Sequence, residues 1–407
     1  MSLLDELGAL CEVREPWPGD LVDGLRPQVV ARPASTAETS AVMRFCHERG
    51  LAVTVRGGGT KQTWGMPPAR LDVILETLRM DQVVEHAHGD LIATVGTGLR
   101  LADLDRVLRE NGQQLIIDDL VGGSTVGGAV ATNQSGPRRM AVGAARDLLI
   151  GVTVVRADGT VAKSGGKVVK NVAGYDLCKL LTGSFGTLGV LTEVTFRLHP
   201  VTAASQWVSV DVDPGELAGP VERVLHSQLV PTALEVDHAG GTGPVRVAAL
   251  FTGTEEGVAS RVTAARELLG NGAGETDATW TGRFPWLGDD GPGTDVAALK
   301  LTCQLSSVPA LVQEAARRGV AVRGSAGAGV LYAAAPATDL ADTVAGLRGW
   351  CLRHGGSLVV LDAPGTDKTT LDVWGSDSVG GLEIMRRVKH EFDPTGVLSV
   401  GRFVGGI

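Results

Sequence analysis

Apolar residues in the first 200 positions fall into short runs, some alternating and some continuous, and glycines rather than long polar linkers separate them. The stretch ASTAETSAVMRFCHERG (34–50) carries an apolar stripe at helical spacing, with Thr36 as N-cap and Gly50 as terminator, and predicts a helix. The runs at 51–55 and 71–75 predict strands, and QVVEHAH and LIATVG, joined by Gly-Asp, predict a hairpin over 82–96. Residues 99–112 are amphipathic with a glycine stop and predict a second helix. RDLLIGVTVVRADGT (146–160) predicts one long strand with Arg146 and Asp147 paired at its start. A helix is expected near 173–182, and TLGVLTEVTFRLHP (187–200) closes the block as a strand. These elements do not alternate as in a simple doubly wound parallel sheet, so the expected class is α+β.

From about residue 205 the rhythm changes. SQWVSVDV, a helix containing VERVLHSQ, TALEVD, PVRVAALF and a helix at 255–270 read as β-α-β-β-α. VAALKLTC, a helix at 308–318, VAVRGS, GVLYAAA, a helix at 338–354 and SLVVLDA give β-α-β-β-α-β. One unit thus occurs twice, as in a duplicated ferredoxin-like layer, with the loop-rich stretch 271–295 between the copies. A helix at about 379–391 and the tail FDPTGVLSVGRFVGGI follow. The expected division is 1–200, 201–362 and a segment 363–407 that returns toward the first block.

Composition removes several function classes. The 407 residues suit two or three domains, and 43% apolar with 20% charged content is ordinary for a globular chain. The formal net charge of −9 and the scarcity of aromatics argue against a nucleic-acid surface. No apolar segment reaches the length of about 18 residues that a membrane span needs, and the acidic first twenty residues do not read as a signal peptide. Cysteines 11, 46, 178, 303 and 351 stand alone, which reads as buried reduced thiols rather than cluster or zinc ligands.

Glycine is the outlier, at 56 residues, about twice the usual share of roughly 7%. In VTVRGGGTKQTWG (53–65) a strand runs into three glycines, an arrangement that gathers backbone N–H groups into a nest for an anion or supplies a tight turn. The P-loop spacing is absent, and the Rossmann spacing fails at Gln62 and at Leu101. Two more clusters, DDLVGGSTVGGAVATNQSG (118–136) and GSFGTLGVLTEVTFRLHP (183–200), are likewise tied to strands. Three such loops spread over some 130 residues suit one long ligand, and a flavin dinucleotide has that shape.

RGGGT, ST-VGGAVATNQSG and GSFGTLGVLTEV resemble the FAD-linked oxidases, the vanillyl-alcohol-oxidase superfamily. GPRRMAVGAARDLLIGVTVVRADG, GGKVVKNVAGYDLCKLLTGSFGTLGVLTE, DVWG (372–375) and FDPTGVLSVGRF are similar to one branch, the FAD-binding second subunit of glycolate oxidase. The resemblance implies a PCMH-type FAD-binding domain plus a cap domain of the duplicated units. It implies that Gly57, Gly58, Gly59 and Thr60 wrap the diphosphate through backbone N–H groups, and that Thr125, Gly127 and Gly128 line the phosphates and ribityl chain. Ser135 and Gly136 would lie near the flavin ring or ribityl, and Gly189 and Val190 would present main-chain groups to the adenine or its ribose. Arg56 and Lys61 are further cofactor candidates, each also readable as a solvated charge at a strand end, and Asn133 reads as a loop-holding residue. Many members attach the flavin to a histidine where this chain has Thr60; no histidine lies between 48 and 85, so the expected FAD is non-covalent.

The related catalytic subunits carry a metal- and substrate-binding motif of the type H-x-G-D-G-N, absent here; the nearest string is RHGGS (353–357). Among the scattered histidines only His238 follows a strand of the second block where a substrate pocket is expected, and Arg138, Arg139 and Arg283 are candidates for a carboxylate. The resemblance implies a flavoprotein subunit of a glycolate oxidase-type complex that turns 2-hydroxy acids into 2-oxo acids. It implies a second flavoprotein subunit and an iron–sulfur subunit as partners, and a cytoplasmic chain linked to the membrane only through them. A self-sufficient hydroxy-acid or alcohol dehydrogenase and a structural subunit with a vestigial flavin site stay open. The tail reads LSVGRF where members have Asn-Pro before Gly-Arg, which puts a tail contact to the cofactor in question.

Overall fold

The computed structural model describes residues 2–166, 175–288, 291–292, 295–364 and 368–407. Much of the expected GGKVVKNVAGY motif and the start of the helix expected near 173 lie outside the described residues. The chain divides into two units: Met1–Gln134, Ala144–Val201 and Val379–Ile407 form the first, and Ser135–Gly143 with Thr202–Ser378 form the second. The segments 135–143 and 363–378 therefore group differently from the expected boundaries. Local bonds explain both: Tyr332 OH donates to Ser135 O, and Arg348 donates to the carbonyls of Asp372 and Val373.

The first unit holds two sheets. Glu12–Arg14 (β1), Val29–Arg32 (β2), Val53–Arg56 (β3) and Val73–Glu76 (β4) pair in the order β1-β2-β4-β3, with β2, β4 and β3 mutually parallel. Parallel strands need both faces covered, and β4 is buried at every position. The crossover helix Thr36–Arg49 covers one face, packing Val42, Met43 and Cys46 against Val53, Val73 and Leu75. Its cap is Ser35, one residue before the expected Thr36, because the extended backbone there lets Ser35 Oγ accept from Glu38 N at 3.1 Å.

The second sheet is antiparallel: Val83–Ala87 (β5), Ile92–Gly96 (β6), Leu149–Val155 (β7), Val161–Gly165 (β8) and Val190–Arg197 (β9), in the order β5-β6-β9-β7-β8. The long strand expected at 146–160 begins instead with the single turn Ala145–Leu148. Asp147 caps that turn by accepting from Ala144 N at 2.9 Å, so its carboxylate is a cap and not the partner of Arg146. AVAT, after the second glycine loop, belongs to a short helix, Val126–Ala131, capped by Thr125.

The C-terminal segment closes the first unit. Helix Leu382–Phe392 presents Lys389, whose Nζ meets Asp393 at 2.6 Å and donates to the carbonyls of Thr187 and Leu398 at 2.8 Å each. The tail then bonds to β3: Val53 N donates to Val397 O and Ser399 N donates to Val53 O. The strand that feeds RGGG is thus braced by the tail on one edge and by β4 on the other.

The second unit is one eight-stranded antiparallel sheet. Its strands are Ala204–Val212 (β10), Ala233–His238 (β11), Val245–Gly253 (β12), Gly274–Thr276 (β13), Val296–Thr302 (β14), Ala321–Ser325 (β15), Val330–Pro336 (β16) and Leu358–Asp362 (β17). The order is β13-β10-β12-β11-β15-β16-β14-β17. Each half is a β-α-β-β-α-β unit with internal order 4-1-3-2, and the halves join where the second strand of one pairs with the second strand of the other. Register aligns Asp237, Arg323, Tyr332 and Lys300 in one row across four strands, hence on one face. Helix Leu340–Arg353 packs on β14, β16 and β17 and buries Leu340, Val344 and Leu347.

Among the described residues no helix is long and apolar enough to cross a membrane. All five cysteines are free, and burial pushes the Cys46 and Cys351 thiols up to about 12.

Candidate cofactor site

The three glycine loops converge on one open cleft in the first unit. Gly57, Gly58, Gly59, Thr60 and Lys61 line it from the first loop, Thr125, Gly127 and Gly128 from the second, and Gly189 from the third. Close approach explains most of these glycines. A Cβ on Gly57 would sit 2.1 Å from Thr125 Oγ1, and one on Gly58 would sit 2.4 Å from Gly123 O. The first loop can lie on the second only without side chains. Gly59 alone of the three needs the left-handed region, at φ +75°.

The amides complete the picture. The backbone N–H groups of Gly58, Gly59, Thr60 and Lys61 donate to no group among the described residues. Successive N–H groups in a turn suit an anion. Hydroxyls surround them: Thr77, Thr97, Thr132 and Ser184 also line the cleft. A donor run beside a hydroxyl-rich wall fits a diphosphate with its flanking polyols.

Four expected residues stand elsewhere. Arg56 is neither solvated nor part of the lining; its guanidinium meets Asp20 at 2.7 Å and Glu76 at 2.8 Å. Val190 is a fully buried strand residue, packed against the first unit's core. Ser135 and Gly136 belong to the second unit, where Ser135 Oγ accepts from Arg139 at 2.8 Å. His238 is structural: Nδ1 accepts from Gly240 N at 2.9 Å, and Nε2 is 3.1 Å from Gly243 O. Lys61 is not a solvated charge either, being 8% exposed.

Arg402 was not expected in the lining. It is buried, and its guanidinium donates to the carbonyls of Gln62 and Trp64 in the turn that follows the first loop. The altered tail keeps this arginine in place with Ser399 at φ 45° and Gly401 at φ +81°. The sequence signal was the arginine in VGRF itself, which no periodicity marks.

Glycine-spaced loops, free amides and hydroxyls at the ends of strands define a dinucleotide-binding unit, and known proteins agree. Residues 27–165 match a family described as FAD binding domain. A D-lactate dehydrogenase of Archaeoglobus fulgidus is 35% identical over 49% of this chain and 47% of its own length. The glycolate oxidase subunit GlcD of Bacillus subtilis is 33% identical over 51% and 45%. The chain thus spans about half the length of these two relatives. An uncharacterized FAD-linked oxidoreductase of Mycobacterium tuberculosis is 28% identical over 93% of this chain and 91% of that one. In fold, the chain is similar to an alkyldihydroxyacetonephosphate synthase (TM-score 0.71, 18% identity, 92% of this chain and 76% of that). It is also similar to a Physcomitrella patens BBE-like 1 variant (TM-score 0.71, 16% identity, 98% of each). Residues 27–165 thus carry an FAD binding domain, and FAD is the cofactor that the chain takes.

Proposed function

We propose that this chain is an FAD-dependent oxidoreductase subunit of a complex that oxidises 2-hydroxy acids to 2-oxo acids, passing two electrons onward to partner redox centres. The observation that carries the reading is the cleft with its unpaired amides; the names of the relatives supply the substrate class. FAD, when bound, accepts the hydride. The first two glycine loops hold its diphosphate and ribityl chain, Gly189 borders the adenosine end, and Arg402 pins the turn after the first loop. Division of labour with a partner is supported by the histidines: none lines the cleft, and both ring nitrogens of His238 are engaged. Among the described residues no group of three or more His, Cys, Asp or Glu is placed to hold a metal.

A specific cluster favours a second reading, in which the chain binds and oxidises the acid itself. On the second unit's sheet, the Lys300 ammonium makes no hydrogen bond or ion pair among the described residues. Burial, with the neighbouring Arg139 guanidinium, pushes its ammonium down to about 8. Tyr332 OH reaches Ser135 O at 3.4 Å, and Phe284 and Trp286, stacked at 4.4 Å, wall the tyrosine. Two cations, a phenol and an aromatic wall suit a small carboxylate.

The readings separate in one experiment. D-lactate or glycolate is added without oxygen to the isolated, flavin-loaded chain. Flavin that stays oxidised until dithionite is added supports the relay subunit; bleaching by the acid overturns it in favour of the self-sufficient enzyme. In the second reading, Lys300→Met is expected to raise the acid's KM about tenfold or more with a smaller change in kcat, as loss of one charge-assisted contact does. An unchanged KM removes Lys300 from the carboxylate site.

A further inference from the structure

Lys61 is a buried cation that no acid neutralises. Its Nζ donates to Ser124 Oγ at 2.8 Å and lies 3.3 Å from Thr60 Oγ1, both neutral, and it makes no ion pair. The charged groups around it are few. Asp119, in the segment leading to the second loop, acts at a distance, with its carboxylate engaged by Ser124 N at 2.9 Å. Arg402, from the tail, approaches the Lys61 carbonyl at 3.5 Å. Gln134 meets Ser124 Oγ at 3.3 Å, and the Trp64 ring centroid is 5.9 Å from Nζ. If Lys61 only tied the two loops together, a neutral donor would serve without the cost of burying a charge. Lys61 lies instead in the lining of the cleft, in the same stretch as the four unpaired amides.

We propose that the Lys61 ammonium is the counter-charge of the cofactor's diphosphate and makes FAD capture proton-linked. Burial pushes Lys61 down to about 8 in the flavin-free chain. An anion placed beside it restores the protonated form, so a chain whose lysine is neutral takes up a proton as it binds FAD. Affinity is then greatest below pH 8 and falls as pH rises through that value, by about tenfold per unit, until the pKa of the bound form is reached. This inference rests on the FAD assignment and adds what selects for the diphosphate.

The test is FAD titration of the flavin-free full chain, followed by flavin fluorescence, from pH 7 to pH 9. The wild type is expected to bind about tenfold more weakly at pH 9 than at pH 7. Lys61→Met is expected to bind at least about tenfold more weakly than wild type at pH 7 and to lose the pH dependence. Lys61→Arg, whose guanidinium stays protonated throughout, is expected to keep tight binding with a flat profile. Thermal unfolding of each flavin-free variant separates this from a folding defect. A Lys61→Met chain of lower thermal stability that keeps the wild-type pH profile overturns the proposal. So does a wild type whose affinity does not change with pH, although the FAD assignment then stands. A wild type that binds no FAD at either pH overturns both.

Discussion

Gly58→Ala yields a folded chain whose affinity for FAD is lower by two orders of magnitude or more. The methyl group would sit 2.4 Å from Gly123 O, a backbone atom of the facing loop. That carbonyl is itself held, accepting from Arg100 Nη1 at 3.0 Å. Neither loop yields as a flexible side chain would, so relief requires the two halves of the cradle to separate by about 1 Å, and displacements of that size cost about a hundredfold where geometry is critical. The overpacking costs stability too, about 1–3 kcal/mol. Gly89→Ala, in a hairpin turn with open space around the new methyl, is the control and should leave both affinity and stability unchanged. Fluorescence titration and thermal unfolding of the two variants read the difference. Equal FAD affinity in Gly58→Ala and wild type would mean that the loops do not form the cradle.

Asp20→Asn should destabilise the first unit by about 3 kcal/mol, the usual cost of removing one partner from a buried ion network. Asp20 is 4% exposed and accepts from Arg14 at 2.6 and 3.0 Å, from Arg56 at 2.7 Å and from Trp17 N at 2.7 Å. Arg56 continues the network to Glu76, which Arg32 also holds at 2.8 Å. The hydrogen bond from Arg14, followed by those from Trp17 N and Arg56, holds the Asp20 carboxyl well below the usual carboxylate range despite its burial. A carboxylate depressed in the folded state contributes stability above its unfolded pKa of about 3.9 and loses it as pH falls below that value. Urea unfolding at pH 7 and pH 3 should therefore show a large gap between wild type and Asp20→Asn at pH 7 and a narrower one at pH 3. Because Arg56 is the last residue before the glycines, the variant should also bind FAD more weakly. An Asp20→Asn midpoint equal to wild type at pH 7 would reduce the network to surface decoration.

The legible parts of this chain were those with a local cause. Gly50 ended its helix as expected because a left-handed terminator needs no tertiary context. The strand feeding RGGG and the two repeats of the second unit followed from apolar rhythm and turn residues. The glycine loops were legible for a different reason: nine of the thirteen candidate residues line one cleft, and all but Lys61 are glycine or threonine, the small residues that close backbone approach admits. The misses depended on distant partners. Nothing near Arg56 in sequence indicates that Asp20 and Glu76 will claim its guanidinium. Ser135 follows the second loop without a break, yet groups with the other unit, where Tyr332 OH donates to its carbonyl. Asp147 looked like a strand-start ion pair because a one-turn helix of four residues is too short to show a period.

The central claim is that three glycine loops hold one non-covalent FAD in the first unit. The most direct measurement is the flavin content of the purified full chain after acid precipitation. The account predicts about one FAD per chain, all of it in the supernatant, with Gly58→Ala releasing little or none under the same conditions. Flavin retained in the precipitate would contradict non-covalent binding, and a chain that neither carries FAD nor takes it up on titration would contradict the site itself.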